Sequence, residues 1–440
     1  MRSAVTSLCF ACALSSGAAA FTWPVQAEEP AAWAEKHIDS LVTLYQHFHS
    51  HPELSFHEVE TAARLAKELR AAGYDVTEQV GGTGVVALLK NGPGPTVMVR
   101  TDLDALPVTE QTGLAYASTV RVKNAEGIES GVMHACGHDI HITNLVGVGQ
   151  YLAAHRDRWS GTLMLIGQLA EERGNGARHM LNDGLFKRFP KPEYSLAVHV
   201  DSRLEAGKIE YRAGYLLANV DTVDITLKGR GGHGASPHTT IDPVVMAAHL
   251  VLDLQTLVSR ETNPIEPAVV TVGSIHGGTK HNIIGGECRL QLTVRSYSDK
   301  VRKHLLDGIR RKALAAAASA GAEEPEMKFS DDYTPALLND AKLVERLLPV
   351  LKKTLGDEQV REGELSMGGE DFSLYGRAGS AICMLRLGSV EANRLAGLKR
   401  GGMEPPSLHS PIYFPDAPET LKTGVVAMCV CVLDLMPAKK

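Results

Sequence analysis

A charge pattern of one sign, a long apolar run and a regular cysteine framework are all missing from this chain of 440 residues. Lysine and arginine number 45 against 51 aspartate and glutamate, and no block or stripe of basic residues interleaves with aromatics. The resulting net charge of −6 and that distribution exclude the electrostatic footprint of a nucleic-acid-binding protein. Past Pro30 no apolar run approaches the roughly 20 residues that a membrane-spanning helix needs. Internal repeats and low-complexity tracts are absent too.

The first residues are different in kind. Arg2 precedes a small-residue apolar stretch that ends at Val25-Gln26-Ala27, ahead of Glu28. This is the pattern of a secretory signal with an A-x-A-like cleavage site, so residues 1–27 are expected to be removed on export to a periplasmic or secreted location. Cys9 and Cys12 lie in that peptide, and five cysteines remain: Cys136, Cys288, Cys383, Cys429 and Cys431. An odd number at irregular spacing argues against a disulfide scaffold and leaves at least one thiol free or held by a metal.

Hydrophobic periodicity divides the chain into two units. After Glu28, the segment from Ala31 to Val76 carries apolar residues at spacings of three and four and reads as helical. Strands and helices then alternate: "GVVALLK", "PTVMVRTD", "GTLMLIGQLAEE" and "YSLAVHV" as strands, "IHITNLVGVGQYLAAH" and "GARHMLNDGLF" as helices. That order predicts an α/β sheet covered on both faces. From residue 213 to 330 the pattern becomes three alternating strands and two long helices, which predicts a small α+β domain inserted into the larger one, residues 28–212 and 331–440.

In open α/β sheets, ligands gather beyond the carboxyl ends of the strands. Asp102 and Asp104 follow "TVMVR", Glu171 and Glu172 follow "LMLIGQLA", and His199 ends "YSLAV". Between them stands "MHACGHDIH", with three histidines, a cysteine and an aspartate in nine positions. Thiolate, imidazole and carboxylate together suit zinc or, where oxygens dominate, manganese or cobalt. Adjacent carboxylates on a strand end would point in opposite directions, one towards a metal and the other towards substrate as a base. Two other readings compete: a cysteine hydrolase with Cys136 activated by His138 or His134, and an exported binding protein that keeps the fold without the chemistry.

Taken in order, "RTDLDALP", "HACGHDIH", "AEER", "VHV", "GRGGHGASPH", "HNIIGGECRLQLTVR", "GGEDF" and "LHSPIYF" resemble the metal-dependent amidohydrolases, aminoacylases and carboxypeptidases, in the branch of hippurate hydrolase and auxin-conjugate amidohydrolases. The resemblance implies a zinc-peptidase-like catalytic domain with a mixed central sheet, and a ferredoxin-like inserted lid that dimerises. It implies two divalent ions, zinc or manganese with cobalt or nickel as alternatives, on Cys136, His138, Glu172, His199 and His409. It also implies Glu171 as general base and Asp102 as the acid that orients a ligand. His233 would stabilise the oxyanion, reaching a partner subunit's metal site, and Asn282 and Arg295 would contact substrate. His134, Asp139 and His141 are expected to be structural. The implied activity is hydrolysis of N-acyl amino acids, with a carboxypeptidase or dipeptidase as the alternative. Ile140, Ile142 and Gly369 depart from the branch and concern the substrate pocket rather than the ligands.

Overall fold

The computed structural model describes residues 28–123 and 127–438, so the expected signal peptide lies outside the described residues. Within them an eight-stranded mixed sheet runs in the order Asp75–Val80, Gly84–Asn91, Gly161–Gln168, Thr96–Asp102, Tyr194–Glu205, Ala381–Val390, Ile209–Tyr211, Val360–Glu362. The four central strands are mutually parallel and the flanking pairs are largely antiparallel. Alternate side chains face alternate layers, as the period of two in a strand requires. Val97, Val99, Leu163 and Leu165 pack under the helices Pro30–Ser50, His138–Ala154 and Ala417–Leu435, whereas Met98, Met164 and Ile166 pack with Met180, Phe372 and Tyr375 on the other side. Each such buried aliphatic stabilises the fold by about 1.5–3 kcal/mol relative to exposure.

The helical segment expected from Ala31 to Val76 is two helices, Pro30–Ser50 and Val59–Ala71, because Pro52 cannot continue the first. The strand of Asp75–Val80 begins where the second was expected to finish. Likewise "GARHMLNDGLF" forms two short helices, Gly176–Asn182 and Leu185–Arg188, broken at Gly184 with φ +88°.

A second sheet of four antiparallel strands, Ala268–Gly277, Glu287–Ser296, Asn219–Lys228 and Glu326–Phe329, is inserted between Ile209–Tyr211 and Val360–Glu362. One face is apolar and carries the helices Pro243–Thr256 and Asp299–Ser319, with Val223, Ile225, Leu290, Leu292, Leu250 and Leu305 at its centre. The opposite face bears Arg295 and looks towards the large sheet's loops, where Arg295 donates to the Met367 carbonyl at 2.9 Å.

Candidate metal centre and active-site cleft

Between the two sheets lies a cleft of about 780 Å³ whose lining includes Cys136, Glu171, Glu172, His199, Arg295 and His409. His138 and Asp102 are buried immediately behind its wall. Six residues that the sequence spreads from 136 to 409 are therefore neighbours in space.

Each is aimed by local structure. Gly137, with φ +76°, starts the helix His138–Ala154 and lies so close to Val200 that a Cβ would meet its Cγ2 at 2.6 Å. Only glycine allows this turn at no steric cost, and it separates the Cys136 and His138 side chains by a sharp bend. His138 Nδ1 donates to the Asp104 carbonyl at 2.7 Å, which fixes the tautomer and presents Nε2. His199 Nδ1 donates to the Val200 carbonyl at 2.8 Å, leaving its Nε2 3.6 Å from Cys136 Sγ. His199 does not end its strand: Tyr194–Glu205 runs six residues further, and register places His199 level with Asp102 at the end of the neighbouring strand.

The paired carboxylates also differ from expectation. The strand ends at Gln168, and Glu171–Arg173 is a single 3₁₀ turn entered through Ala170, whose φ of +48° is left-handed. For a residue with a Cβ that conformation costs about 1–2 kcal/mol. Both acids then approach His138, with Glu172 Oε1 at 3.8 Å and Glu171 Oε2 at 4.0 Å from its Nε2. His409, in a loop and itself at φ +69°, brings Nε2 to 3.4 Å from Glu172 Oε1.

Among these groups His138 Nε2 and Glu172 Oε1 are buried without a hydrogen-bond partner. Two trios, Cys136 with His138 and His199, and Cys136 with Glu172 and His409, have their donor atoms within 4.8 Å of one another. Donors sharing a tetrahedral ion with bonds of about 2.0–2.3 Å stand roughly 3.4–3.7 Å apart, close to the 3.4, 3.6 and 3.8 Å seen here. The residues present thus fit divalent metal.

The surrounding charge favours a cation as well. Asp102, Glu370 and Asp371 share the single guanidinium of Arg100, at 2.7, 2.9 and 3.2 Å. Burial would lower His138, but Asp102, Asp104 and Glu172 outweigh it and raise it to about 10. Burial, then Glu370, Glu172 and Asp371, push the Glu171 carboxyl well above its usual range. Burial, then Glu172, Glu171 and Asp102, push the Cys136 thiol up too. This is the reverse of an activated nucleophile, whose thiolate needs a positive field.

Asp102 spends Oδ1 on His141 Nδ1 at 2.8 Å and Oδ2 on Arg100 at 2.7 Å. His141 Nε2 in turn accepts the Val200 N–H at 2.9 Å, so both its nitrogens are used and it is not free to ligate. Asp102 consequently acts on the strand that carries His199 and lies 3.7 Å from His138 Nε2, while His138 Nδ1 is held by Asp104. Asp139 is engaged with His49 at 2.7 Å, and His134 is buried with neither nitrogen partnered. Asp104, named in the sequence beside Asp102 but given no role there, proves to be a structural hub of the site. Its carboxylate oxygens accept the amides of Glu171 and Glu172 at 3.2 and 3.0 Å and the Ser55 hydroxyl at 2.6 Å.

Of the residues expected on the inserted unit, Arg295 reaches the cleft and the other two do not. His233 is exposed on the two-residue strand Gly232–His233, and Asn282 is exposed in the turn before its antiparallel partner Ile283–Ile284, where Gly234 N–H donates to the Asn282 carbonyl at 2.9 Å. Neither lines the cleft of its own chain.

Residues 98–398 match the model of the peptidase family M20/M25/M40. Thermostable carboxypeptidase 1 of Saccharolobus solfataricus is 35% identical over 341 residues, 77% of this chain and 83% of that one. IAA-amino acid hydrolase ILR1-like 2 of Arabidopsis thaliana is 33% identical over 379 residues, 86% and 81% respectively. The crystal structure of the YXEP protein of Bacillus subtilis, a dinuclear metal-binding peptidase from family M20, superposes with a TM-score of 0.74 at 28% identity, covering 92% of this chain and all of that one. This chain belongs to peptidase family M20/M25/M40 and is a metal-dependent hydrolase of amide or peptide bonds.

Proposed function

We propose that the protein is an exported amidohydrolase that cleaves the amide of N-acyl amino acids, hippurate-like or similar conjugates, with Glu171 as general base. The observation that carries this reading is the pairing, across one cleft, of the ligand cluster with Arg295. That half-buried guanidinium has no carboxylate within ion-pairing distance among the described residues, and its only polar partners are Thr293 Oγ1 and the Met367 carbonyl. A cation so placed suits a free carboxylate, for which a guanidinium offers a bidentate fork. Leu216, Val220, Met384 and Leu408 supply apolar surface in the same cleft for an acyl group.

Two divalent ions on Cys136, His138, Glu172, His199 and His409 would polarise the carbonyl and lower the pKa of water from 15.7 towards roughly 7. Glu171 takes the proton of the attacking water and delivers it to the amine nitrogen as the C–N bond breaks. The metal identity is zinc or manganese in this reading. The name of the Saccharolobus relative favours a second reading, removal of a carboxy-terminal residue from short peptides, which uses the same Arg295.

The inserted unit is proposed to dimerise. Ala268–Gly277 is an edge strand of its sheet with Ile275 exposed, and the helix beside it exposes Val245 and Leu252, the latter at 71%. An open edge flanked by apolar side chains is a surface that pairing with a second copy would cover. His233 and Asn282 would then serve the partner's cleft, consistent with their distance from their own. Export rests on the Arg2-to-Ala27 pattern, and N-terminal sequencing of the mature protein tests it.

A screen of N-acyl amino acids, dipeptides and longer peptides, with each metal restored to chelator-stripped enzyme, decides between the readings. Turnover of N-benzoyl and N-acetyl amino acids above that of peptides supports the proposal, and turnover confined to peptides overturns it in favour of the second.

A further inference from the structure

Three successive backbone amides, those of Ala170, Glu171 and Glu172, point at two buried carboxylates. Asp104 accepts the second and third. The first, Ala170 N–H, donates to Glu58 Oε1 at 2.7 Å, while Glu58 Oε2 accepts the Thr83 hydroxyl at 2.6 Å. Glu58 is wholly buried and stands at the N-cap of the helix Val59–Ala71, yet its side chain does not cap that helix. The first amides of that helix are satisfied instead by Glu53, whose carboxylate accepts Glu60 and Thr61 N–H at 3.2 and 2.8 Å. Glu58 reaches across to a residue 112 positions later in the chain.

The residue it reaches is the strained one. Ala170 turns the chain out of the strand Gly161–Gln168 with φ +48°, and that turn carries both Glu171 and Glu172 into the cleft. Its carbonyl is held from the other side by Asn175 and Gly176 N–H, at 3.4 and 3.2 Å. Strained backbone persists where the surroundings over-determine it. From this geometry we infer that Glu58 is a positioning residue: its hydrogen bond to Ala170 N–H holds the left-handed turn that sets the general base and the adjacent ligand. The inference rests on the roles proposed above for Glu171 and Glu172. Glu58 touches neither substrate nor metal and acts only through Ala170.

Glu58→Ala should lower kcat about 10- to 100-fold, the scale of a displacement near 1 Å at a reacting centre, with KM changed less than about twofold. Glu58→Gln keeps an acceptor for Ala170 N–H and a hydrogen-bonding partner for Thr83, and should restore most of kcat. The decisive variant is Glu58→Ala combined with Ala170→Gly. Glycine adopts the left-handed turn without a Cβ penalty, so kcat should recover at least about threefold over Glu58→Ala, while Tm, having lost a buried methyl as well, should not recover. A merely structural Glu58 would move Tm and leave the double variant no faster than the single one, which overturns the inference. Hydrogen exchange of the amides from Ala170 to Glu172, measured in the metal-loaded protein without substrate, should be at least about tenfold faster in Glu58→Ala. Equal exchange overturns the brace. If wild-type protein cleaves no amide at all, the proposed function fails, and the exchange comparison still decides whether Glu58 holds the turn.

Discussion

His138 Nε2 and Glu172 Oε1 face each other across 3.8 Å, both buried and neither hydrogen-bonded. Leaving two such atoms unpaired costs about 1–3 kcal/mol each unless something binds between or beside them. A divalent cation would satisfy both, together with Cys136, His199 and His409 around them.

Glu171→Gln tests the division of labour between the adjacent acids. The amide fills the same space and cannot accept a proton, so turnover should fall by more than about 10²–10⁴-fold. Metal content should be unchanged. Sites emptied by the substitution would make Glu171 a ligand and reverse the assignment.

Arg295→Ala should raise KM for substrates with a free carboxylate and leave the corresponding neutral amides nearly unaffected. The free-acid penalty is expected at about 1.5–3 kcal/mol, the worth of a hydrogen bond to a charged group. Equal losses on the acid and its amide would remove the carboxylate from the account.

His233→Ala should depress kcat for every substrate if the exposed histidine serves a second subunit's cleft. Mixing His233→Ala with Glu171→Gln subunits under exchange conditions should then regain activity, since some mixed dimers carry one intact site. No regain would leave His233 as a surface residue.

Much of this was legible in the chain, and what was not has identifiable causes. Alternating strands and helices announced the covered sheet, because burial on two faces leaves a periodic mark. The polar cluster was visible in the sequence as Asp102, Asp104, Glu171, Glu172 and the histidines of "MHACGHDIH", whereas the choice of ligands among them, and the inclusion of His409, came from the resemblance of the ordered motifs to a family. Ala170 was invisible: nothing in "GQLAEER" announces a left-handed alanine, since its conformation is imposed by Glu58 and by the amides of Asn175 and Gly176. Asp102 and Asp104 could not be told apart by spacing alone. Their roles are separated by which of them faces His138 Nδ1, a matter of tertiary packing.

His49 gives the fold a pH dependence of known sign. Burial pulls its pKa down, but hydrogen bonds to Asp139 and Glu110 outweigh this and lift it from 6.5 to about 9. A folded pKa above the unfolded one means the stabilisation is complete below pH 6.5 and is lost as pH rises through 9. The shift corresponds to about 3–4 kcal/mol at most. Tm should therefore drop more steeply between those values in wild-type protein than in His49→Gln, which cannot titrate. Parallel Tm profiles would show that His49 is not charged in the native state.

The most direct test of the central claim is a metal titration of chelator-stripped protein, with bound ion and hydrolysis followed together. Uptake of about two divalent ions per chain is expected, with hydrolysis that rises with occupancy and with weakened uptake in Cys136→Ser, where a hydroxyl replaces the thiolate. Full hydrolysis by wild-type protein holding less than about a tenth of an ion per chain, or uptake and activity undiminished in Cys136→Ser, would contradict it.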